Sequence, residues 1–301
     1  VEPDTGPSAS AGAPGWRLDP GGDLNGFFEC LEAEGATLVS AHRGGPAPGY
    51  PENALQTFAA TLAEVPAVLE VDVATSADGV LYLMHDDTLE RTTTGEGASD
   101  ALSWAKIEKL LLVDNEGTPT AFAPTRFDDA LAWAKDRTIL QVDFKKTTRF
   151  EDVVAEIRRQ HAERNVIYIA YSLAQAERLH ALAPDAMISL SLDSMSDLNR
   201  AVAGGVPADH IVAFTGTDIP RPHLFEILNG RDVEVIFGTL GGTDSVDNFI
   251  VETGEEGHYA EIAGLGVDIL ATDRPGAAQA ALVAAGRGAS DGLCGVARIG
   301  G

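Results

Sequence analysis

Short apolar, β-branched segments alternate with amphipathic segments along most of the 301 residues, and this alternation limits the possible folds strongly. Each apolar segment is typical of a buried strand, and each amphipathic segment is typical of a helix. Strands are predicted at residues 37–41, 68–73, 138–145, 166–172, 187–192, 211–215, 233–239 and 269–272. Strands that alternate with helices predict an α/β chain with a parallel sheet, and this number predicts a (β/α)₈ TIM barrel. A doubly wound open sheet is the alternative, but no GxGxxG phosphate-binding sequence follows the first predicted strand.

Composition divides the chain into three parts. Residues 1–22 are rich in Pro, Gly, Ser and Ala, and they are predicted to be a disordered N-terminal segment. Residues 23–290 are predicted to form the barrel domain, and residues 291–301 a C-terminal tail. Within the barrel domain, residues 87–125 have few periodic signals and are expected to form a small insertion over the mouth of the barrel.

Two carboxylates stand two residues apart on the second predicted strand. Because side chains at i and i+2 of a strand point to the same face, Glu70 and Asp72 should project together. Paired carboxylates repel each other unless a cation lies between them, and Mg²⁺ and Ca²⁺ prefer oxygen ligands. A solvated edge strand is the other interpretation, although unpaired carboxylates are costly on a strand as apolar as this one.

A second histidine follows the same strand through a turn at residues 76–79. The short apolar segment after the turn leaves no room for a crossover connection, so an antiparallel hairpin that extends the second strand is predicted. A turn centred near Ala77 and Asp78 would set His85 opposite Glu70. This position favours a functional histidine, because perturbed groups cluster at active sites.

Further polar residues follow the first and third predicted strands. The first strand is followed by His42, Arg43 and two glycines, which let the backbone approach a ligand closely. Arginine offers a planar fork that suits phosphate oxygens. The third strand ends with Asp143 and Lys145, again two residues apart. All these residues lie at or just beyond the carboxyl ends of strands, where TIM barrels have their active sites.

The sequences AHRGG, PENA, LEVDVATSADGVLYLMHDDTLERTTTG and ILATDRP occur in this order along the chain. In sequence and spacing they resemble the glycerophosphodiester phosphodiesterase family, a group of TIM barrels related to phosphatidylinositol-specific phospholipase C. The resemblance extends from about Thr37 to about Ala285. It implies a metal-dependent enzyme that hydrolyses glycerophosphodiesters to glycerol phosphate and an alcohol, with one divalent cation, Mg²⁺ or Ca²⁺, as cofactor. It also implies that a cyclic phosphate forms first and that water then opens it.

The same resemblance implies roles for individual residues. His42 and His85 would be the general acid and base, in an order that the sequence leaves open. Glu52 would orient Arg43 or His42, or would only be an acid in the first turn of a helix. The implied metal ligands are Glu70, Asp72 and Asp143, and the implied substrate- and phosphate-binding residues are Arg43, Lys145, Glu52 and Asn53.

Two positions depart from the family. Asp143 stands where glutamate is usual, and the sphingomyelinase D/lysophospholipase D-like phosphodiesterases, which have aspartate there, are therefore the alternative function. Leu110, Leu111 and Phe122 could supply the apolar groove that such an enzyme needs, or could form the core of the insertion. The late strand of the family often carries a tryptophan–threonine pair, and Phe237 is interpreted as replacing the large aromatic residue. Tyr171, at the end of a predicted strand, could line the mouth of the barrel, but it is expected in the core.

Charge restricts the partners of this chain. With 46 acidic and 21 basic side chains the formal net charge is −25, which would repel the phosphate backbone of a nucleic acid. A small-molecule phosphodiester, attracted locally by a metal and a few cationic side chains, is the expected partner. No apolar run is long enough for a transmembrane segment, which needs about 18 residues. The oligomeric state is left open.

Two cysteines give information on the cellular compartment of the protein. Cys30 precedes the first barrel strand and Cys294 follows the last helix, and in a closed barrel these ends are neighbours. A disulfide between them is possible, as are two free thiols. The chain starts at Val1 without a signal-peptide apolar core, which is consistent with a mature periplasmic or secreted protein. A trimmed cytoplasmic chain is the alternative.

Overall fold

The computed structural model describes residues 15–300, and a closed barrel of parallel strands forms its centre. The strands are β1 (Gly15–Leu18), β2 (Leu38–Ala41), β3 (Ala67–Thr75), β4 (Leu81–Leu83), β5 (Leu140–Phe144), β6 (Val166–Ala170), β7 (Met187–Ser191), β8 (Ile211–Phe214), β9 (Glu234–Gly238), β10 (Ile269–Thr272) and β11 (Val296–Ile299). The α-helices are α1 (Leu24–Ala33), α2 (Leu55–Glu64), α3 (Trp104–Ile107), α4 (Phe127–Ala134), α5 (Phe150–Gln160), α6 (Leu173–Leu182), α7 (Met195–Ala203), α8 (Pro222–Asn229), α9 (Val246–Thr253), α10 (His258–Ala263) and α11 (Pro275–Ala284). Short 3₁₀ turns lie at His42–Gly44, Glu163–Asn165 and Ala208–His210.

The barrel closes because β2 pairs in parallel with both β3 and β10. Around the barrel the order of strands is β2, β3, β5, β6, β7, β8, β9 and β10, and every neighbouring pair is parallel. This arrangement confirms the predicted (β/α)₈ TIM barrel. Among residues 15–300, no helix is both long enough and apolar enough to cross a membrane.

Alternation along the strands separates two faces. On β3, Leu69, Val71 and Val73 pack outward against the helices in the main apolar core. The residues between them, Glu70 and Asp72, therefore project into the barrel. The other barrel strands alternate in the same way between inward- and outward-facing residues. Only the inward-facing set on each strand can therefore reach a site at the mouth of the barrel.

Helix α1 closes the N-terminal end of the barrel. Its apolar residues, including Phe27, Phe28 and Leu31, join a second buried cluster with the lowest inward-facing residues of the strands. The helix begins where Asp23 accepts a hydrogen bond from the backbone N–H of Gly26. With its floor sealed, the barrel can open only at the opposite end, where the strands terminate.

Each of the two predicted terminal segments contains a strand, which corrects the prediction of disorder at residues 15–18. Residues 1–14 and residue 301 lie outside the described part of the chain. Residues 15–18 instead form β1, which pairs antiparallel with β11 from the predicted tail at 291–301. Trp16 donates its indole N–H to the backbone oxygen of Glu64 at 3.0 Å, and Leu18 is buried. The contacts of Trp16 and Leu18 and the pairing with β11 thus stabilise a strand that the local composition did not predict.

The hairpin of β3 and β4 is antiparallel as predicted, but its register is different. The turn is centred on Asp78, and the N–H of Met84 donates to the backbone oxygen of Asp72 at 3.0 Å. The prediction that His85 lies opposite Glu70 is therefore wrong. His85 still lines the cavity of the two carboxylates, because β4 ends before Met84 and the chain leaves the ladder there.

The segment 87–125 has a small apolar core of its own. Leu89 and Ile107 are buried there against Tyr82 of β4, and Leu110 packs against the same cluster. The structure therefore assigns Leu110 to the core of the insertion and not to an apolar substrate groove. The helix α3 in this segment is a single turn.

Candidate active site

Three carboxylates converge at the open end of the barrel. Glu70 and Asp72 point inward from β3, and Asp143 is the register partner of Asp72 on β5. One oxygen of each carboxylate lies within 4.8 Å of one oxygen of the other two. Oδ1 of Asp143 is buried and has no hydrogen-bond partner. A buried acceptor without a donor is costly, so the three side chains fit a hard cation that takes oxygen ligands.

The electrostatics of the carboxylates agree with this interpretation. Desolvation raises the pKa of Glu70 well above its ordinary value, and the charges of Asp72 and Asp143 raise it further. Desolvation would also raise the pKa of Asp72. Lys145, His85 and the Asn53 amide outweigh this effect and lower the pKa of Asp72 below its usual range. Ionising Glu70 together with Asp72 and Asp143 is therefore unfavourable unless further positive charge is added to the site.

Lys145, two residues beyond Asp143, bridges two of the carboxylates. Its Nζ donates to Oδ1 of Asp72 and to Oδ2 of Asp143, each at 3.1 Å. Burial lowers the pKa of Lys145, but the two carboxylates raise it more, so the ammonium stays charged. The predicted phosphate-binding cation is thus at the centre of the site.

The turn after β2 brings Arg43 to the same place. Arg43 adopts a left-handed backbone conformation with φ of 51°, and its backbone N–H donates to Oε2 of Glu70 at 2.8 Å. Its guanidinium donates to Oε2 of Glu52 at 2.9 Å. Gly44 follows with φ of 82°, and a Cβ there would lie 2.2 Å from the ring of Phe58. Only glycine therefore allows the turn to pack so closely on α2.

The structure places Asn53 and Glu52 behind the ligands, where both side chains are buried. Nδ2 of Asn53 donates to Oδ2 of Asp72 at 2.8 Å, and Oδ1 of Asn53 accepts from the N–H of Asp72 at 3.0 Å. Both ends of the amide are thus engaged by one residue. Asn53 thus orients Asp72, and its contact with substrate stays a prediction. The expectation that Glu52 orients Arg43 agrees with their hydrogen bond.

Each histidine is held by a carboxylate. Nδ1 of His42 lies 2.6 Å from Oδ1 of Asp273, and Nδ1 of His85 lies 2.6 Å from Oδ1 of Asp86. Because a carboxylate only accepts, Nδ1 of each ring carries the proton in these pairs. The Nε2 atoms remain for proton exchange with a ligand.

Both partner carboxylates remain ionised. Burial would raise the pKa of Asp273, but its hydrogen bond and charge interaction with His42 lower the pKa below its usual value. The pKa of Asp86 is lowered mainly by hydrogen bonds from Arg91 and further by His85. The structure thus identifies the two histidines as hydrogen-bond partners of Asp273 and Asp86.

A cavity of about 170 Å³ joins these groups. Both histidines, the three carboxylates and Lys145 line one side of it, and Phe214, Ile236 and Leu240 line the opposite side. Tyr171 also lines this cavity and is 61% exposed, so the expectation of a core tyrosine is wrong. A second cavity of about 630 Å³ adjoins His42 and runs between the insertion and residues 241–242. The site is therefore charged on one side and apolar on the other.

The aromatic position of β9 also needs a correction. Phe237 is fully buried in the outer core, with its ring 6.3 Å from that of Phe225, so it faces the helices and not the cavity. Parity places Gly238 on the inner face. A Cβ at Gly238 would lie 2.8 Å from Thr217 and 3.6 Å from Leu240. Neighbouring loops thus occupy the space that a large side chain would need.

Two residues of the site were not identified from the sequence. Arg91 contacts Asp86 and Glu52, and its presence in the segment HDDTLERTTTG is the signal that could have identified it. Asp247, in the first turn of α9, accepts from the backbone N–H of Asp273 at 2.7 Å and from Thr272. Nothing in the local sequence distinguishes Asp247 from an ordinary acid in the first turn of a helix.

Comparison with known proteins agrees with this geometry. The model of the glycerophosphoryl diester phosphodiesterase family matches residues 42–202, more than half of the chain. A crystal structure of a glycerophosphoryl diester phosphodiesterase from Parabacteroides distasonis is 28% identical, with a TM-score of 0.85, and covers 96% of this chain and 100% of that one. A glycerophosphodiester phosphodiesterase from Agrobacterium tumefaciens is 25% identical, with a TM-score of 0.65, over 80% of this chain and 98% of that one.

Curated relatives match over a shorter region. A glycerophosphodiester phosphodiesterase from Caldanaerobacter subterraneus is 39% identical over 74 residues, which is 25% of this chain and 30% of that protein. Glycerophosphodiester phosphodiesterase 1 of Bos taurus is 41% identical over 83 residues, which is 28% of this chain and 25% of that protein. The chain thus matches less than a third of the length of these relatives. On the match of the family model, the chain belongs to the glycerophosphoryl diester phosphodiesterase family.

Proposed function

We propose that this protein hydrolyses glycerophosphodiesters to glycerol phosphate and an alcohol, with one divalent cation and two histidines. The observation that carries the proposal is the arrangement at the mouth of the barrel. Three converging carboxylates and two carboxylate-held histidines line one cavity. The family membership and the fold shared with the Parabacteroides distasonis enzyme support the same reaction class.

Glu70, Asp72 and Asp143 would hold the cation, Mg²⁺ or Ca²⁺. Their oxygen-only donor set and the unpartnered Oδ1 of Asp143 support this assignment. When bound, the cation supplies positive charge to a non-bridging phosphate oxygen as negative charge develops there. Glu70 is held by the N–H of Arg43 and Asp72 by the Asn53 amide, so two of the ligands are oriented in advance.

Arg43 and Lys145 bind the remaining phosphate oxygens. The planar fork of Arg43 is oriented by Glu52, and Lys145 is fixed by its two hydrogen bonds to carboxylates. Both cations lie in a protein whose net charge is −25. They therefore give an anionic substrate a local attraction that the surface as a whole lacks.

The two histidines transfer protons on either side of the phosphorus. One neutral ring takes the proton of the adjacent glycerol hydroxyl, whose oxygen attacks the phosphorus. The other, protonated ring gives its proton to the departing alcohol oxygen as the P–O bond breaks. A cyclic glycerol phosphate results. Water then opens it while the two histidines exchange roles, so both return to their starting protonation states.

The alternative is a sphingomyelinase D/lysophospholipase D-like phosphodiesterase, and the observation that favours it is aspartate at position 143. A substrate panel separates the two functions. Purified protein with Mg²⁺ or Ca²⁺ is incubated with glycerophosphodiesters of several alcohols, and separately with a choline lysolipid and sphingomyelin, and the products are identified. We expect glycerol phosphate from the first group and much slower turnover of the second. Turnover confined to the lipids would contradict the proposal.

Intramolecular attack has its own test. A diester whose glycerol lacks the hydroxyl next to the ester oxygen cannot form the cyclic phosphate. We expect this deoxy analogue to bind as a competitive inhibitor and to turn over at least about 10²-fold more slowly, as for a lost intramolecular nucleophile. Equal turnover of the analogue would show that water attacks directly.

We further propose that the protein works in an oxidising compartment, as a periplasmic or secreted enzyme. The support is the disulfide that joins Cys30 to Cys294 in the structure. Mass spectrometry of alkylated, unreduced protein from its natural source tests the proposal. An intact bridge is expected, and two alkylated thiols would contradict it.

A further inference from the structure

We propose that Arg91 is a positioning residue for His85. Its guanidinium fixes Asp86, the carboxylate that orients this histidine. The same guanidinium binds Glu52, the carboxylate that orients Arg43. This inference rests on the proposed function. It assigns a role to the insertion, because Arg91 lies within residues 87–125. It also links His85, which follows β4, with Arg43, which follows β2.

The guanidinium of Arg91 engages two carboxylates at once. Nε donates to Oδ2 of Asp86 at 2.6 Å, and Nη2 donates to Oδ1 of Asp86 at 2.7 Å. Nη1 and Nη2 donate to Oε2 and Oε1 of Glu52 at 2.8 Å and 2.9 Å. All four carboxylate oxygens are therefore bound by one rigid fork, which a lysine could not reproduce.

Each carboxylate shares an oxygen between Arg91 and a residue of the proposed mechanism. Oδ1 of Asp86 lies 2.6 Å from Nδ1 of His85 as well as near Arg91. Oε2 of Glu52 accepts from Arg43 as well as from Arg91. If the guanidinium were removed, Asp86 would be free to rotate and the ring of His85 would lose its fixed orientation.

Burial of Glu52 distinguishes this arrangement from an ordinary surface ion pair, although Arg91 and Asp86 are 46% and 24% exposed. Exposed pairs contribute little, because water screens them and the side chains lose entropy. Glu52, in the turn before α2, is only 3% exposed and binds two cationic side chains, Arg43 and Arg91, from other parts of the chain. His42 is oriented differently: its partner Asp273 accepts from the backbone N–H of Gly241. Loss of Arg91 should therefore act on His85 and not on His42.

The test compares Arg91→Met with a matched control, Arg126→Met. Arg126 also borders the insertion, packs on Trp104 and makes a two-hydrogen-bond pair with Asp128. Unlike Arg91, which lines the cavity adjoining His42, Arg126 lines neither that cavity nor the one that holds the carboxylates. With a glycerophosphodiester and saturating metal, Arg91→Met should lower kcat about 10–100-fold and change KM less than about fivefold. Arg126→Met should leave both within about twofold.

A spectroscopic readout separates positioning from a general loss of structure. The ring nitrogens of uniformly ¹⁵N-labelled protein are followed by NMR without substrate, with assignments from His42→Gln and His85→Gln. Arg91→Met should shift the resonances of His85 and leave those of His42 in place. Unchanged His85 resonances, or equal shifts of both rings, would overturn the proposal, as would an unchanged kcat.

Arg91→Lys keeps the experiment decisive if the methionine variant does not fold. Lysine retains the positive charge but has no fork, so kcat should still fall by at least about fivefold. Wild-type kcat and unshifted His85 resonances in Arg91→Lys would overturn the proposal. If the wild-type protein turns over no glycerophosphodiester, the proposed function fails. The NMR comparison still tests the link between Arg91 and His85 in that case.

Discussion

The two histidines of the site have the same chemical support, a carboxylate on Nδ1, so both are expected to matter about equally. Replacing either His42 or His85 with glutamine should lower kcat about 10²–10⁴-fold, the usual loss for a general acid or base. The control is His223→Gln, because the side chain of His223 is 88% exposed and lies in α8. Steady-state kinetics checks the prediction, and near-normal turnover in either variant would remove that histidine from the mechanism.

At the scale of residues, the accuracy of sequence prediction followed backbone regularity. The convergence of Glu70, Asp72 and Asp143 was predictable because strand parity and parallel register alone bring them together. The role of Asn53 was not, because it depends on a left-handed backbone conformation with φ of 59° in a loop. The role of Arg91 was not predicted either, because the insertion that contains it has little periodic structure.

At the scale of elements, the ends of the barrel were predicted to be neighbours, and the disulfide of the structure agrees with this. Cys30 in α1 and Cys294 are bonded across a sequence separation of 264 residues. Cross-linking so long a loop restricts the unfolded chain strongly, so the loss of the bridge should cost about 2–5 kcal/mol of unfolding free energy.

The double variant Cys30→Ala/Cys294→Ala tests this value. Its melting temperature should fall by roughly 3–8 °C, while kcat at 25 °C should be nearly unchanged, because α1 closes the barrel at the end opposite the site. Calorimetry of both proteins under non-reducing conditions provides the measurement. Equal melting temperatures would show that the packing of α1 alone holds this end together.

The strands and helices of the barrel were largely predictable, but the register of the β3–β4 hairpin was not. Both strands are apolar and β-branched, so their pairing is decided by the turn. That turn is built from hydrogen bonds of Ser76, which accepts from the N–H of Val80 and donates to Asp78. Such side-chain contacts in a loop shift a register by one residue without changing the pattern of hydrophobic residues. The strands β1 and β11 were not predicted, because each is stabilised by pairing with the other.

At the scale of the whole molecule, the closed floor of the barrel contains acidic groups far from the site. Desolvation raises the pKa of Glu234 to about 9 and that of Asp268 to about 7, with further increases from neighbouring acids. Both carboxyls therefore keep protons in the folded state at pH values where the unfolded chain has lost them. Since the folded state binds more protons, the contribution of these two carboxyls to stability is full below about pH 4 and declines as pH rises. It is lost above about pH 7 for Asp268 and above about pH 9 for Glu234.

Glu234→Gln should remove most of the contribution of this residue to the pH dependence of stability. The melting temperature of the variant minus that of the wild type should increase by on the order of 5 °C between pH 5 and pH 9. Glu226→Gln is the control, because its side chain is 83% exposed. Melting curves across this pH range check the sign, and a difference that stays constant with pH would contradict the buried, protonated carboxyl.

At the centre of the proposed function, a cation held by Glu70, Asp72 and Asp143 supports cleavage of a glycerophosphodiester. ³¹P NMR follows the phosphorus atom directly in the wild-type protein, in chelated protein and in Asp143→Asn. We predict that the diester signal is replaced by that of glycerol phosphate, that chelation stops this change, and that Mg²⁺ or Ca²⁺ restores it in the wild type but not in the variant. Full turnover by protein shown by metal analysis to be metal-free, or release of free glycerol with a phosphorylated alcohol, would contradict the account.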